Sequence, residues 1–135
     1  MAIGTARQSH EQQIHFLRKL VNYNDAGVSA GVLVGTVPAG AIITAVICEI
    51  ATAFNAGSTN VLNVGTTGTG TDLLTSAEAI AGTIGQKTAA TYKGTAAAAP
   101  QANDQDIFVS YAQTGTPATT GVAYIMVSFI PNTDR

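Results

Sequence analysis

Charged residues are scarce in this sequence. Only 10% of its 135 residues are Asp, Glu, Lys or Arg, against roughly 25% in ordinary soluble proteins. The six basic residues are scattered and the net charge is −2, so the concentrated positive face that nucleic-acid binding requires is missing. Two explanations of the low charge remain open. Either a Thr/Ser/Ala surface keeps the protein soluble, or neighbours in an assembly cover much of the surface, since interface cores are depleted of charge.

Long apolar runs and cysteines are also scarce. The longest run, "GAIITAVICEIATAF", is interrupted by Glu49 and falls short of the ~18–20 residues that span a bilayer. We therefore expect no membrane partner. The first residues, "MAIGTARQSHEQQ", contain no apolar core of a secretory signal. Cys48 is the only cysteine and no histidine follows it, so we expect a buried, reduced thiol and not a nucleophile.

Short β segments separated by Gly, Pro, Asn and Thr turns make up most of the chain. The first, 16–23, also fits helical spacing, but its large apolar and aromatic side chains favour a strand. The segment 41–54 is β-branched and apolar on both faces, which predicts a central strand covered on both sides. The remaining strands are predicted at 31–36, 61–65, 104–113 and 121–131, with weak ones in "GTIGQ", "ATYKG" and "TAAAAP".

One short helix is predicted within 75–82. Thr75 and Glu78 have the spacing of a capping box, and Gly82 can end the helix. With seven to nine strands and no βα alternation, the fold class is all-β, an antiparallel β-sandwich or small jelly roll with one short helix. Residues 15–135 are expected to form a single sandwich domain and residues 1–14 an N-terminal arm.

The stretch "GTTGTGT" at 65–71 raises the question of a phosphate-binding loop. Such a loop needs a preceding strand, a helix directly after it and usually a nearby lysine. The stretch follows a predicted strand, but the next lysine is Lys87 and the glycine spacing matches neither phosphate-loop pattern. A turn between strands explains the same residues, because glycine adopts positive φ and threonine suits strand ends.

No other pattern indicates catalysis. His10 and His15 in "HEQQIH" are five residues apart, one more than the H-E-x-x-H zinc motif allows. The stretch "NDQD" at 103–106 offers only a thin version of a calcium loop. Glu49 interrupts an apolar strand, so it is expected to lie at a strand end, beside a cation or at an interface. We therefore predict an enzymatically inactive protein with no catalytic, cofactor-binding or metal-binding residues and no cofactor.

Part of the sequence resembles virion proteins of tailed bacteriophages. The resemblance rests on "NYNDAGV", on "VGTVPAGAIITAVICEIATAFNAGSTNVLNVGT" and on the closing "VAYIMVSFIPN". It covers about half of the chain well and the rest loosely. Similar sequences look like small capsid decoration or cement proteins with a jelly-roll fold.

The resemblance implies a structural role in the virion. A cement protein binds the outside of the head, braces adjacent subunits of the major capsid protein, and is a homodimer or homotrimer. The implied location is the capsid surface, after assembly in the host cytoplasm. Two alternatives remain: a tail, neck or head-fibre component, and a carbohydrate-binding β-sandwich whose platform would use the four tyrosines. The absence of tryptophan weakens the last.

Overall fold

The computed structural model describes residues 14–132, which form two antiparallel sheets packed face to face. The strands are β1 (His15–Asn22), β2 (Val32–Val37), β3 (Ile42–Thr52), β4 (Thr59–Gly65), β5 (Gly85–Thr88), β6 (Gln105–Thr114) and β7 (Val122–Ile130). One sheet has the order β1-β7-β3-β5 and the other β2-β6-β4. The all-β sandwich predicted from the sequence is confirmed. Within the described residues, no helix has the length and apolar character needed to cross a membrane.

The chain changes sheet at every step. Each strand from β1 to β7 is followed by a strand of the opposite sheet, so all strand neighbours are distant in sequence. After β4, a single bridge joins Val64 to Leu74, and the helix α1 (Ser76–Ala79) follows. This segment crosses from the edge of the three-stranded sheet to the edge of the four-stranded sheet.

The core lies between the inner faces of the two sheets. It is built from alternate strand residues, such as Val46, Cys48 and Ile50 of β3, each with no exposed surface. Cys48 is confirmed as a buried free thiol. Burial raises its pKa to about 12, with a smaller opposing effect of Lys87 and a small raising effect of Glu49, so the neutral thiol packs as a small apolar group.

The central strand β3 differs from the prediction in one respect. Its inner face is buried, but on the other face Ala45, Ile47 and Glu49 are only half-buried. A bulge between Ile43 and Ala45 shifts the register against β7. The expectation that β3 is covered on both sides is therefore wrong within one chain. An apolar face of the sheet is left open.

Two predicted strands are absent. "ATYKG" and "TAAAAP" form 3₁₀ turns at Thr91–Gly94 and Ala96–Ala98, closed by local backbone hydrogen bonds such as Lys93 N to Ala90 O at 3.1 Å. Small alanine side chains give a strand little to bury, so the local turn is favoured. The weak strand expected in "GTIGQ" lies further along, at β5.

The turn between β2 and β3 begins at Pro38. The amide of Ala41 donates to the carbonyl of Pro38 at 3.2 Å, so proline occupies the first position of the turn. Gly40 lies at the third position with φ +80°, a conformation that glycine adopts at little cost.

Candidate interaction surface

The loop "GTTGTGT" is a closed turn. The amide of Thr66 donates to Asp72 Oδ1 at 2.9 Å, and its hydroxyl donates to Asp72 Oδ2 at 2.6 Å. The amide of Gly70 donates to the carbonyl of Thr67 at 3.0 Å. The Asp72 carboxylate therefore already accepts the hydrogen bonds that Thr66 could offer a phosphate, and its negative charge would repel that ligand.

Five of the six carboxylates in residues 14–132 have structural roles. They accept hydrogen bonds from backbone amides or hydroxyls: Asp25, Asp72, Glu78, Asp104 and Asp106. In "NDQD", Asp104 accepts from the amide of Ala39 at 2.9 Å and Asp106 from the hydroxyl of Thr36 at 2.7 Å. They tie the start of β6 to β2 and to the β2–β3 turn. No group of three or more His, Cys, Asp or Glu side chains within 14–132 is arranged to hold a metal ion.

The tyrosines do not form a common binding platform. Tyr92 and Tyr111 are buried, with 5% and 2% of their surface exposed. Tyr111 packs against Phe54 with ring centroids 4.6 Å apart, and burial raises the pKa of its phenol. Only Tyr23 and Tyr124 retain partial exposure. A sugar platform made of the four rings is therefore absent.

Residues of the "HEQQIH" stretch are only partly described. His10 lies outside residues 14–132. His15 begins β1, and its exposed ring stacks on Phe129 with centroids 5.9 Å apart. The histidine thus packs at the end of the sheet.

The feature that stands out is the outer face of the four-stranded sheet. We define the outer face by the outward-facing residues of its strands. These are Phe16, Arg18 and Leu20 of β1, Ile42, Ala45, Ile47 and Glu49 of β3, Gln86 and Thr88 of β5, and Tyr124, Met126, Ser128 and Ile130 of β7. Inward-facing neighbours such as Ile125 and Val127 have no exposed surface, which fixes the direction of the alternation.

Large apolar side chains concentrate on this face. Phe16 is 64% exposed, and Leu20, Ile42 and Ile130 are each more than 40% exposed. Ile14, directly before β1, is 62% exposed. In contrast, the outward side of the three-stranded sheet contributes one exposed large apolar residue, Leu33. Grouped apolar exposure of this kind marks an interaction site, whereas single exposed apolar residues are ordinary.

Two opposite charges lie on the outer face, one on each side of β7. Arg18 is on β1 and Glu49 on β3, on opposite sides of β7. The guanidinium carbon of Arg18 lies 4.8 Å from the ring centroid of Tyr124, and Tyr124 is paired with Glu49. Among the carboxylates of residues 14–132, Glu49 differs from the other five, which accept the hydrogen bonds described above, because it accepts none. Sequence reasoning singled out Glu49; Arg18 was missed, because a lone arginine in a strand has no pattern.

The fold is shared with chains from phage capsids. A chain in the capsid asymmetric unit of Cyanophage Pam1 matches with a TM-score of 0.64 and 21% identity, over 88% of this chain and 85% of that one. Chains from the capsid of Ralstonia phage GP4 and the acid-stable capsid of Helicobacter pylori bacteriophage KHP30 match with TM-scores of 0.55 and 0.57. Both are 16% identical to this chain. The match to the GP4 chain covers 90% of this chain and 86% of that one, and the match to the KHP30 chain covers 88% of this chain and 89% of that one. No protein-family model and no curated protein matches the sequence.

Proposed function

We propose that this protein is a phage capsid decoration or cement protein. It binds the outside of the head and stabilises contacts between subunits of the major capsid protein. The observation that carries the proposal is the agreement of three capsid structures in one fold, over 85–89% of each matched chain. Since the covered shares of the two chains are nearly equal, the matched chains are about as long as this one, a size that suits an accessory subunit.

The connectivity supports a jelly roll. Strands that alternate between two sheets, with the first and last strands adjacent, have the connectivity of that fold. In this chain the strand after β4 is reduced to the single bridge between Val64 and Leu74. An eight-stranded jelly roll with its fifth strand shortened to one residue accounts for the four-plus-three arrangement.

The chemical groups of this protein suit a structural role. Cys48 is buried with a pKa of about 12, and five carboxylates accept structural hydrogen bonds from backbone amides or hydroxyls. The outer face is apolar and open. A rigid sandwich with low charge and one exposed apolar face is suited to stable contacts with other proteins. We propose that the protein acts without catalysis, on the capsid surface, after assembly in the host cytoplasm.

The test is to add the purified protein to heads that lack it. We expect co-sedimentation with the heads, and cryo-EM density on the outside where adjacent major capsid subunits meet. Decorated heads should release DNA at a higher temperature than bare heads. Density found only at the tail or neck, or no binding to heads at all, would refute the proposal. A glycan array with a positive result would favour the carbohydrate-binding alternative instead.

A further inference from the structure

Both edge strands of the four-stranded sheet, β1 and β5, have features that disfavour the addition of a further strand. Lys19 on the edge strand β1 pairs with inward-facing Ile125, and Lys87 on the edge strand β5 pairs with inward-facing Cys48. A lysine directed inward from an edge strand is a common device against edge-to-edge pairing. In addition, β5 has only four residues. Association through this sheet is therefore expected to use its face.

The charges of the outer face are complementary to those of the same face on a second copy of the chain. Arg18 and Glu49 flank β7 at similar distances, because β1 and β3 each lie one strand spacing, about 4.8 Å, from β7. The backbone of Arg18 pairs with Met126, one outward-facing position from Tyr124 along β7. Its guanidinium nevertheless rests on the ring of Tyr124, the residue that pairs with Glu49. A twofold axis parallel to β7 and lying in the interface would place β1 of one copy opposite β3 of the other. Arg18 of each copy would then face Glu49 of its partner.

We propose that the outer face is the contact surface of a homodimer, in which two copies pack their four-stranded sheets face to face about this twofold axis. The apolar centre is supplied by Tyr124, Met126 and Ile47, and the two Arg18–Glu49 pairs fix the register. Such a contact is isologous and closes at two copies. The two sheets would pack about 10 Å apart, as aligned sheets do in sandwiches.

The size of the face fits this role. Four strands at about 4.8 Å spacing and nine residues at about 3.3 Å rise span roughly 19 Å by 30 Å. With side-chain relief added, this approaches the ~800 Å² per partner of a standard interface. The low charge of the face also fits, since charged groups are depleted at interface centres.

The first experiment reverses the charges and mixes the variants. Light scattering is expected to show a dimer of the wild type at tens of micromolar. Arg18→Glu alone and Glu49→Arg alone should each weaken dimerisation at least about tenfold, because each puts like charges opposite one another. A mixture of the two variants should form heterodimers at near wild-type affinity, since each partner supplies what the other lacks. A charge pair within one chain would not produce this rescue.

A crosslinking experiment tests the geometry. Since Cys48 is buried, Met126→Cys supplies one reactive thiol near the twofold axis. Sheets about 10 Å apart are too distant for a direct disulfide, so a short bis-maleimide is used, and we expect a covalent dimer. Leu33→Cys, 48% exposed on the opposite sheet, is the matched control and should remain uncrosslinked. Circular dichroism confirms that each variant is folded.

Several results would overturn the inference. They are a wild-type monomer, a trimer, crosslinking through Leu33→Cys alone, or no rescue on mixing. A wild-type monomer whose Met126→Glu variant fails to bind heads would assign the outer face to the capsid instead. Light scattering and crosslinking use purified protein without heads, and binding to heads is measured separately. The dimer can therefore fail while the capsid proposal stands, and the reverse also holds.

Discussion

At the scale of single residues, Gly121 leaves space for the ring of Phe54 in the core. Gly121 has φ +152°, and a Cβ atom on it would overlap the ring of Phe54. Phe54 in turn packs against Tyr111, whose hydroxyl donates to Asn60 Oδ1 at 2.6 Å. The sequence shows only a glycine at the start of a predicted strand. The need for it arises from an aromatic ring 67 positions earlier in the sequence, which no local pattern reveals.

We predict that Gly121→Ala lowers the free energy of unfolding by about 2–4 kcal/mol, from overpacking and an unfavourable φ together. Urea denaturation measures it. Gly27→Ala is the matched control, because Gly27 also has positive φ, +76°, but nothing lies within 4 Å of an added Cβ. It should cost only about 1–2 kcal/mol. Equal losses in the two variants would show that contact with Phe54 is unimportant.

At the scale of elements, Glu78 connects α1 to the segment that follows β5. Its Oε2 accepts from the amide of Thr75 at 3.0 Å, and its Oε1 accepts from the amides of Ala90 and Thr91 at 2.7 and 2.9 Å. Burial alone would raise the pKa of this carboxyl, but these donors outweigh it and lower the pKa to about 2. The capping-box pattern predicted the contact with Thr75. The contacts with Ala90 and Thr91 depend on tertiary structure.

The lowered pKa of Glu78 predicts a pH dependence. A carboxyl with a folded pKa below its usual value of about 4.3 stabilises the fold above that pH, and the contribution is lost as the pH falls toward 2. Glu78→Gln should lower stability by about 1–2 kcal/mol at pH 7. Its stability should fall less steeply than that of the wild type between pH 5 and 2. Parallel curves from denaturant titrations at each pH would contradict the role of this carboxylate.

The end of α1 differs from the prediction. Gly82 was expected to end the helix, but α1 ends at Ala79, and Ile80 adopts a left-handed conformation with φ 46°. A β-branched residue rarely adopts this conformation. We predict that Ile80→Gly raises the melting temperature, by relief of about 1 kcal/mol. Ile84→Gly, exposed in the same connection but without positive φ, is the control and should not be stabilising.

The elements show which sequence patterns were informative. Strands rich in β-branched residues, such as β3 and β7, were predicted within a few residues, because β-branched side chains favour strands and turn residues bound them. The alanine-rich turns near Tyr92 were missed. Tyr92 is buried and donates its hydroxyl to Thr44 O at 2.8 Å, so this segment is held by one anchored side chain. A single anchor leaves no periodic pattern in the sequence.

At the scale of the whole molecule, the open side of β3 is the main difference between sequence and structure. Because both faces of β3 carry apolar residues, we predicted that both faces would be buried. Within one chain only the inner face of β3 is buried. A face-to-face partner would bury the other. The interpretation of the low charge as a surface covered by neighbours then agrees with the position of the outer face. On this interpretation, the apolar residues on the outer side of β3 become buried only when two copies associate.

The last prediction concerns the expected N-terminal arm, residues 1–14, of which residues 1–13 lie outside the described part of the chain. The buried core begins with Val21 of β1, and the partly buried Leu17 packs against that core. Removing residues 2–13 should therefore leave the melting temperature within about 2 °C of the wild type. Extended, 13 residues reach about 43 Å at 3.3 Å each, enough to contact a neighbouring subunit. Affinity for undecorated heads should therefore fall, though modestly, since ordering a segment costs entropy.

Two measurements distinguish an effect of this deletion on the stability of the sandwich from an effect on binding to heads. Calorimetry of the isolated protein reports on the sandwich, and co-sedimentation with heads reports on binding. A collapse of the melting temperature would place residues 2–13 in the core. If both quantities stay unchanged, the segment has no role in attachment and the expected arm is wrong. A replacement of residues 2–13 by Gly and Ser of equal length is the control, because it keeps the reach and removes the side chains. If this replacement binds heads like the wild type, the backbone and length of the arm matter and its side chains do not.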